Sequence, residues 1–321
     1  MAHANSFGPA EYQCADDLMQ DVIKCLLHSP DRFHASKGDG TELLGASFRL
    51  ANPRARLSRS EMRGKIFSAL GELFWCLSGS NKVEFIEHYL SKYGENSDDG
   101  GDTIHGAYGP RIFGQNELDQ VRNVVNLLKD EKYHDSRRAI IQIFAASDLR
   151  KHYRDVPCTC TLQALLRHGR LNLIVYMRSN DAYLGLPHDI FVFTMLQELI
   201  ARALQADIGF YQHMVGHLHL YDKDIPQAQA YLSEDVLSIL PMLPMPNEDP
   251  LPLLPDLLRA EAAIRADPCC ILQSEFGSYW GDIIRLLRVY SENHHQFEGY
   301  KTRIAEIKAQ ISDPTYRVYI L

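Results

Sequence analysis

The sequence lacks the features of a secreted, membrane-spanning or strongly basic protein. It has no run of about 18 apolar residues, and residues 1–9 show neither the basic nor the apolar segment of a secretion signal. With a formal net charge of -8 the chain has no broad basic surface, so we expect no nucleic-acid or membrane partner. Because 321 residues with 45% hydrophobic composition can bury a large core, we expect a globular, cytoplasmic protein.

Cysteines are few and irregularly spaced. Their number, seven, is odd, which disfavours a disulfide framework. The pairs Cys158/Cys160 and Cys269/Cys270 lack the spacing of a zinc ribbon, so ordinary buried thiols are the simpler interpretation. The histidines at 213, 217 and 219 have no cysteine or carboxylate near them in sequence, and we interpret them as hydrogen-bonded rather than zinc-bound. The sequence therefore predicts no metal site.

Apolar periodicity predicts a chain of mixed helices and strands. Helices are predicted at 60–93 (interrupted near 79–81), 118–128 and 191–204, and strands at 139–144 (buried), 158–167, 170–177 and 215–221. A hairpin turn, His168-Gly169, joins two of the strands. Beyond residue 240, repeated prolines predict a connection, followed by helices at 257–266, 279–289 and 300–311 and a short strand at 316–321. We predict a catalytic domain over 1–240, with a proline-rich connection and helical extension over 241–321 packed on it.

Two short motifs contain residues suited to covalent chemistry. Cys158 follows a proline in Arg-Asp-Val-Pro-Cys, and residues 178–187 read Arg-Ser-Asn-Asp-Ala-Tyr-Leu-Gly-Leu-Pro. A cysteine thiolate is both a good nucleophile and a good leaving group, and arginine would favour the thiolate form. Guanidinium groups suit phosphate oxygens. Taken singly, the cysteine could be a packing residue and the arginines solvated surface residues.

Together, these motifs resemble the thymidylate synthase superfamily from about residue 37 to residue 234. The resemblance implies an α/β (α+β) fold with a large twisted mixed sheet and surrounding helices. It also implies that Cys158 adds to C6 of a pyrimidine nucleotide, with 5,10-methylenetetrahydrofolate as co-substrate. Glu72 would be the general acid/base, and Tyr108 would lie near the cysteine. The implied nucleotide-binding residues are Arg178, Ser179, Asp181, Gly185, His219 and Tyr221, with Lys37 where the family has an arginine.

The resemblance also implies a homodimer with shared active sites. In such a dimer Arg137 and Arg138 would reach into the neighbouring subunit's site and bind the phosphate. The family's partners would then be a pyrimidine nucleoside monophosphate, a folate and a second copy of the chain.

Asp189 is the most informative departure from the family pattern, because thymidylate synthases have asparagine there. Cytosine offers an acceptor at N3 and an amino donor at C4, whereas uracil offers the reverse. A carboxyl group can accept from the amino group and share a proton with N3, but it would place acceptor against acceptor on uracil. The residue therefore predicts a cytidylate (dCMP or CMP) hydroxymethylase, similar to the deoxycytidylate hydroxymethylases and the CMP hydroxymethylase of nucleoside-antibiotic biosynthesis.

A second departure is the loop at 94–101, which has no tryptophan to cover a folate ring. Only Trp75 and Trp280 occur in the chain. A less shielded intermediate should be captured by water, giving hydroxymethyl rather than methyl, with Glu72 positioning or deprotonating that water. Two alternatives stay open at this point: a thymidylate synthase acting on dUMP, and a catalytically silent paralogue that only binds nucleotide or RNA.

Overall fold

The computed structural model describes residues 8–35, 37–58, 60, 66–114, 119–234 and 239–320. Within these ranges one mixed sheet is flanked by helices. The strands are β1 (Ala10–Tyr12), β2 (Arg32–Ala35), β3 (Gly38–Leu50), β4 (Ile140–Gln142), β5 (Thr159–Arg167), β6 (Arg170–Met177), β7 (Asn180–Asp181) and β8 (Asp207–Tyr221). This architecture confirms the predicted fold class.

The helices surround the sheet and extend to the end of the described chain. They are α1 (Ala15–Leu27), α2 (Ile66–Leu77), α3 (Val83–Glu87), α4 (Tyr108–Phe113), α5 (Gln120–Lys129), α6 (Gly185–Ala203), α7 (Ile225–Leu232), α8 (Leu254–Ala266), α9 (Ser278–His295) and α10 (Tyr300–Ala309). Within the described ranges, none is long and apolar enough to cross a bilayer.

The sheet runs in the order β1-β3-β8-β6-β5-β4, with β2 on β3 and β7 on β8. β6 and β8 are parallel neighbours, whereas β5 and β6 form an antiparallel hairpin. The hairpin turns at His168 and Gly169, both with positive φ (51° and 71°), as a two-residue turn between twisted strands requires. This confirms the predicted hairpin.

The two faces of the sheet differ in burial. One register row, Ile141, Leu162, Val175, His213 and Phe48, is buried throughout. The next row, Gln142, Thr161, Tyr176, Met214 and Ser47, is exposed or half-buried throughout. The buried face packs on helices such as α6, and the other face is open in the single chain.

Three predictions about elements need correction. The strand predicted as buried at 139–144 is the short edge strand β4, whose Ile140 is 39% exposed. The strand predicted at 316–321 is wrong, because Pro314–Tyr319 is a 3-10 helix that Asp313 caps by accepting from Thr315 N. The helix predicted at 191–204 begins earlier, at Gly185, with Pro187 in its first turn, where a missing N–H costs nothing. Residues 61–65 and 118 of two predicted helices lie outside the described ranges.

The C-terminal helices pack on the helix that carries Glu72. α8 and α9 both contact α2, and Tyr89 Oη donates to the buried Glu261 of α8 at 2.8 Å. Two hydrogen bonds hold the proline-rich segment in place. Met242 N donates to Arg54 O at 3.0 Å, and Met245 N donates to Glu198 Oε1 at 3.1 Å. Residues 239–320 thus support the layer behind the cavity described next.

Candidate active site

The hairpin β5/β6 places Cys158 and Arg178 side by side. Thr159 pairs with Met177 in the register, so the residue before β5 and the residue after β6 are adjacent, and Arg178 N donates to Cys158 O at 2.8 Å. The guanidinium is held by Pro157 O and Val156 O, each at 2.9 Å, and lies 3.8 Å from Cys158 Sγ. The predicted nucleophile and the predicted phosphate ligand therefore share one corner.

A cavity of about 500 Å³ opens at this corner. Most of the predicted site residues line it: Lys37, Glu72, Tyr108, Cys158, Arg178, Ser179, Asp181, Gly185, Asp189, His219 and Tyr221. Residues from five elements and the segments between them thus converge, although they are scattered over much of the sequence. Arg137 and Arg138 do not line the cavity; they are exposed, just before β4 at the sheet edge.

Burial decides the protonation of Cys158. Desolvation raises the pKa of its thiol to about 11, against the lowering effect of Arg178. Arg178 lowers the pKa of the thiol, in the direction expected of an arginine, but desolvation outweighs this effect in the free protein. The thiol is protonated near neutral pH, and Arg178 is placed to stabilise negative charge on sulfur when it develops.

Asp189 lies in the second turn of α6, half-buried at the cavity wall. Burial, and then the nearby carboxylate of Glu72, raise its pKa from 3.8 to about 7. Asn180 Nδ2 donates to its Oδ2 at 2.7 Å. Gly185 leaves room for this pair, since a Cβ there would lie 3.2 Å from Asn180 Nδ2. Near neutral pH the carboxyl group can therefore exist with or without its proton.

Glu72 is held by His188, a residue that sequence reasoning did not select. His188 Nδ1 lies 3.0 Å from Glu72 Oε2, and Ser68 Oγ lies 3.0 Å from His188 Nε2. Both His188 and Glu72 line the cavity. The histidine fixes one carboxylate oxygen, so the other can face a ligand or a water molecule.

Tyr108, His219 and Asp181 have distinct local roles. Burial raises the Tyr108 pKa well above its ordinary value, and its hydroxyl accepts from Thr159 Oγ1 at 3.0 Å, so its own proton is available to donate. Burial and neighbouring His217 lower the pKa of His219 to about 4, so it is neutral. Asp181 Oδ1 accepts from Tyr183 N at 2.8 Å and Leu184 N at 3.0 Å, which supports the turn into α6.

Aromatic side chains reach the cavity from outside the loop at 94–101. Trp75 and Tyr93 line it and meet edge to face, with ring centroids 5.5 Å apart. Trp75 is 6% exposed, and its Nε1 has no hydrogen-bond partner among the described residues. The loop itself contributes no lining residue, as its composition predicted, but the expectation of a site without aromatic cover is only half right. Trp75 was visible in the Glu72 motif, three residues away.

Asp155 is a further residue that sequence reasoning did not select. It lines the cavity beside Cys158, and burial raises its pKa. Gly106 makes room for it, because a Cβ there would lie 2.2 Å from Asp155 Oδ2. Its position in the Arg-Asp-Val-Pro-Cys run was the available signal. Across the described ranges, His, Cys, Asp and Glu form no group of three that could hold a metal ion.

A half-buried thiol beside a guanidinium, in a cavity that two carboxyl groups also line, is an arrangement that can support covalent catalysis on a small ring. A sequence model of the thymidylate synthase family matches residues 16–251. The chain belongs to this family.

A curated relative points to one branch of it. The deoxyuridylate hydroxymethyltransferase of Delftia phage PhiW-14 is 34% identical over 198 residues, which cover 57% of this chain and 54% of the relative. The chain thus matches about half the length of that relative. Together the two findings confirm the predicted resemblance to the hydroxymethylase branch of the superfamily.

Proposed function

We propose that the protein is a C5-hydroxymethyltransferase of a cytidine monophosphate, CMP or dCMP. The observation that carries the choice of base is Asp189, a half-buried carboxyl group with a pKa of about 7 at the cavity wall. It can donate to N3 of cytosine and accept from the C4 amino group. Sharing its proton with N3 also makes C6 more electrophilic.

The chemistry we propose begins at Cys158. The thiol gives up its proton to water in the cavity as Sγ forms a bond to C6; the C5–C6 double bond opens, and the electron pair reaches N3, where Asp189 supplies the proton. C5 thereby becomes nucleophilic. Arg178 stabilises the developing charge on sulfur and binds the phosphate with Ser179. His219 and Tyr221 hold the sugar hydroxyl.

The co-substrate fits the part of the cavity near Trp75 and Tyr93. A flat heteroaromatic ring could pack against these side chains. Methylenetetrahydrofolate would supply the one-carbon unit that C5 takes up. Glu72, held by His188, would accept a proton from the water that completes the hydroxymethyl group. Loss of the C5 proton would release the folate and leave an exocyclic methylene group, to which this water adds. The electron pair then returns to form the C5–C6 double bond and expels the Cys158 thiolate.

A homodimer is part of the proposal. The open sheet face carries Tyr176 (41% exposed) and Met214 (37% exposed) beside the polar side chains of the same row. A second copy meeting this face would cover them and bring its own Arg137 and Arg138 toward the neighbouring phosphate site. Among the described residues of one chain, the lysine and arginine side chains that line the cavity are Lys37, Arg154 and Arg178, to which the second copy would add two more arginines.

The relative's name gives a second candidate, hydroxymethylation of deoxyuridylate. The substitution Asp189→Asn separates the two, because an amide can donate to O4 and accept from N3–H of uracil. We expect the wild type to favour dCMP over dUMP in kcat/KM, and Asp189→Asn to reverse that order with at least a tenfold change, about the value of one hydrogen bond to a charged or buried partner. A wild type that favours dUMP would reject the cytidylate proposal.

A further inference from the structure

A buried chain of hydrogen bonds ends on Asp189. Tyr211 Oη lies 2.6 Å from His213 Nδ1, His213 Nε2 lies 3.3 Å from Asn180 Oδ1, and Asn180 Nδ2 lies 2.7 Å from Asp189 Oδ2. Tyr211 and His213 are 0% exposed and lie outside the cavity wall, whereas Asn180 and Asp189 line it. The chain therefore reaches the base-reading carboxyl group from behind.

The hydrogen bonds of this chain can donate in one direction only. Burial lowers the pKa of His213 to about 3, so its imidazole is neutral, with one donor and one acceptor nitrogen. Asn180 donates its amide to Asp189, so its oxygen faces His213 and must accept from Nε2–H. The lone pair is then on Nδ1, and Tyr211 must donate to it. Every donor points toward Asp189.

Stacking keeps the histidine ring in the plane this requires. The rings of His213 and Phe48 are 5.2 Å apart and nearly parallel, with an interplanar angle of 6°. His213 stands on β8 and Asn180 on β7, which pair directly in the sheet. The geometry is thus set by the sheet and not by a mobile side chain.

This direction makes the two oxygens of Asp189 unequal. Oδ2 is held as an acceptor, so a proton on the carboxyl group belongs on Oδ1. A freely turning carboxylic acid could donate to N3 and accept at position 4 to fit cytosine, or do the opposite to fit uracil. We propose that Tyr211, His213 and Asn180 are positioning residues that set the choice between cytosine and uracil by fixing which oxygen of Asp189 accepts. This rests on the proposed role of Asp189 in reading the base.

The test compares nucleotides that share a sugar, dCMP with dUMP and CMP with UMP. Tyr211→Phe removes only the first hydroxyl of the chain, and Asn180→Ala removes the bond to Asp189. The matched control is Tyr279→Phe, which deletes the hydroxyl of another buried tyrosine, one that contacts Met195 Sδ instead. The ratio of kcat/KM within each pair is measured, and the ratio of dissociation constants, from calorimetry with the nucleotide alone, gives the same comparison without turnover.

We expect the preference between the two bases to fall toward one by about tenfold in Tyr211→Phe and Asn180→Ala, and to stay unchanged in Tyr279→Phe. Equal losses on both bases, with the ratio within about twofold of wild type, would show that the chain only stabilises the fold and would overturn the inference. A wild type that prefers uracil would reject the cytidylate proposal. The inference would then still be judged by whether these variants erode that preference.

Discussion

Burial raises the pKa of both Cys158 and Asp189, but the consequence for catalysis differs between them. It keeps the Cys158 thiol protonated, with a pKa of about 11 even though Arg178 lowers it, so sulfur becomes strongly nucleophilic only once the thiol has lost its proton. It also raises the pKa of Asp189 to about 7, which makes a proton available where an ordinary aspartate has none. Near neutral pH only the effect on Asp189 costs folding free energy, because its carboxyl group would be ionised in the unfolded chain, whereas the Cys158 thiol is protonated in both states.

The cost at Asp189 can be measured through pH. The unfolded carboxyl ionises near its ordinary pKa of 3.8, whereas the folded one holds its proton up to about 7. Its contribution to stability is therefore greatest below the unfolded value and is lost as pH rises toward 7. We expect Asp189→Asn to gain stability relative to wild type over that window, by up to about 4 kcal/mol.

Urea unfolding at a series of pH values measures this difference. Asp222→Asn is the control, because its exposed carboxyl is paired with Arg32 and its pKa is lowered, so its difference should be small and of opposite sign. A difference for Asp189→Asn that stays constant with pH would mean that the carboxyl group is not desolvated as described.

At the scale of elements, α6 links the site to the C-terminal helices. Its second turn carries Asp189. About two and a half turns later, the fully buried Glu198 accepts from Arg54 at 2.8 Å and from the buried Arg56. The same carboxylate accepts from Met245 N in the proline-rich segment. The arginines lower the Glu198 pKa despite its burial, so it is a paired charge.

Removing that charge should be costly. Glu198→Gln leaves the buried Arg56 guanidinium without a carboxylate, and we expect a loss of about 3–5 kcal/mol in the free energy of unfolding. The matched change Asp222→Asn breaks the exposed pair with Arg32 and should have only a small effect. Thermal and denaturant unfolding of both variants would show it. Similar losses for the two would contradict the assignment of Glu198 as the buried centre of this layer.

Elements with strong local signals were predictable from the sequence. The hairpin at 168–169, the helix break near 79–81 and the connection after 240 follow from turn residues and prolines. The 3-10 helix at the end of the described chain was not predictable. Tyr316–Tyr319 alternates like a strand, whereas Pro314 and the Asp313 cap begin a 3-10 helix. Local periodicity does not show whether a sheet edge is available to pair with.

Site residues followed the same rule. Cys158, Arg178 and Asp189 are predictable because they stand in contiguous motifs. His188 and the chain behind Asp189 are not, since their partners are distant in sequence: Ser68 is 120 residues from His188, and Asn180 is 33 from His213. Such contacts exist only once the sheet has placed β7 beside β8 and α6 beside α2.

At the scale of the whole molecule, the proposed dimer makes each site depend on two chains. Cys158→Ala should inactivate a subunit's own site, whereas replacing both Arg137 and Arg138 by Ala should disable the neighbour's. Mixing the two inactive proteins under conditions that exchange subunits should restore activity, because some mixed dimers contain one complete site. The measurement is turnover against time after mixing.

Two outcomes would count against this arrangement. Full activity of the Arg137→Ala, Arg138→Ala protein alone would show that these arginines do not serve the phosphate. If ultracentrifugation shows that mixed dimers form and mixing still restores no activity, both substitutions affect the same site. A Tyr176→Asp variant, charged on the open sheet face, provides the monomeric control.

The central claim is that this protein attaches a hydroxymethyl group to C5 of a cytidine monophosphate. The most direct test is mass spectrometry of the products after separate incubations of CMP, dCMP and dUMP with methylenetetrahydrofolate, beside a Cys158→Ala control. We predict a hydroxymethylated product from CMP or dCMP that is absent in the control. Methylated or hydroxymethylated dUMP, with the cytidine nucleotides unchanged, would contradict the claim.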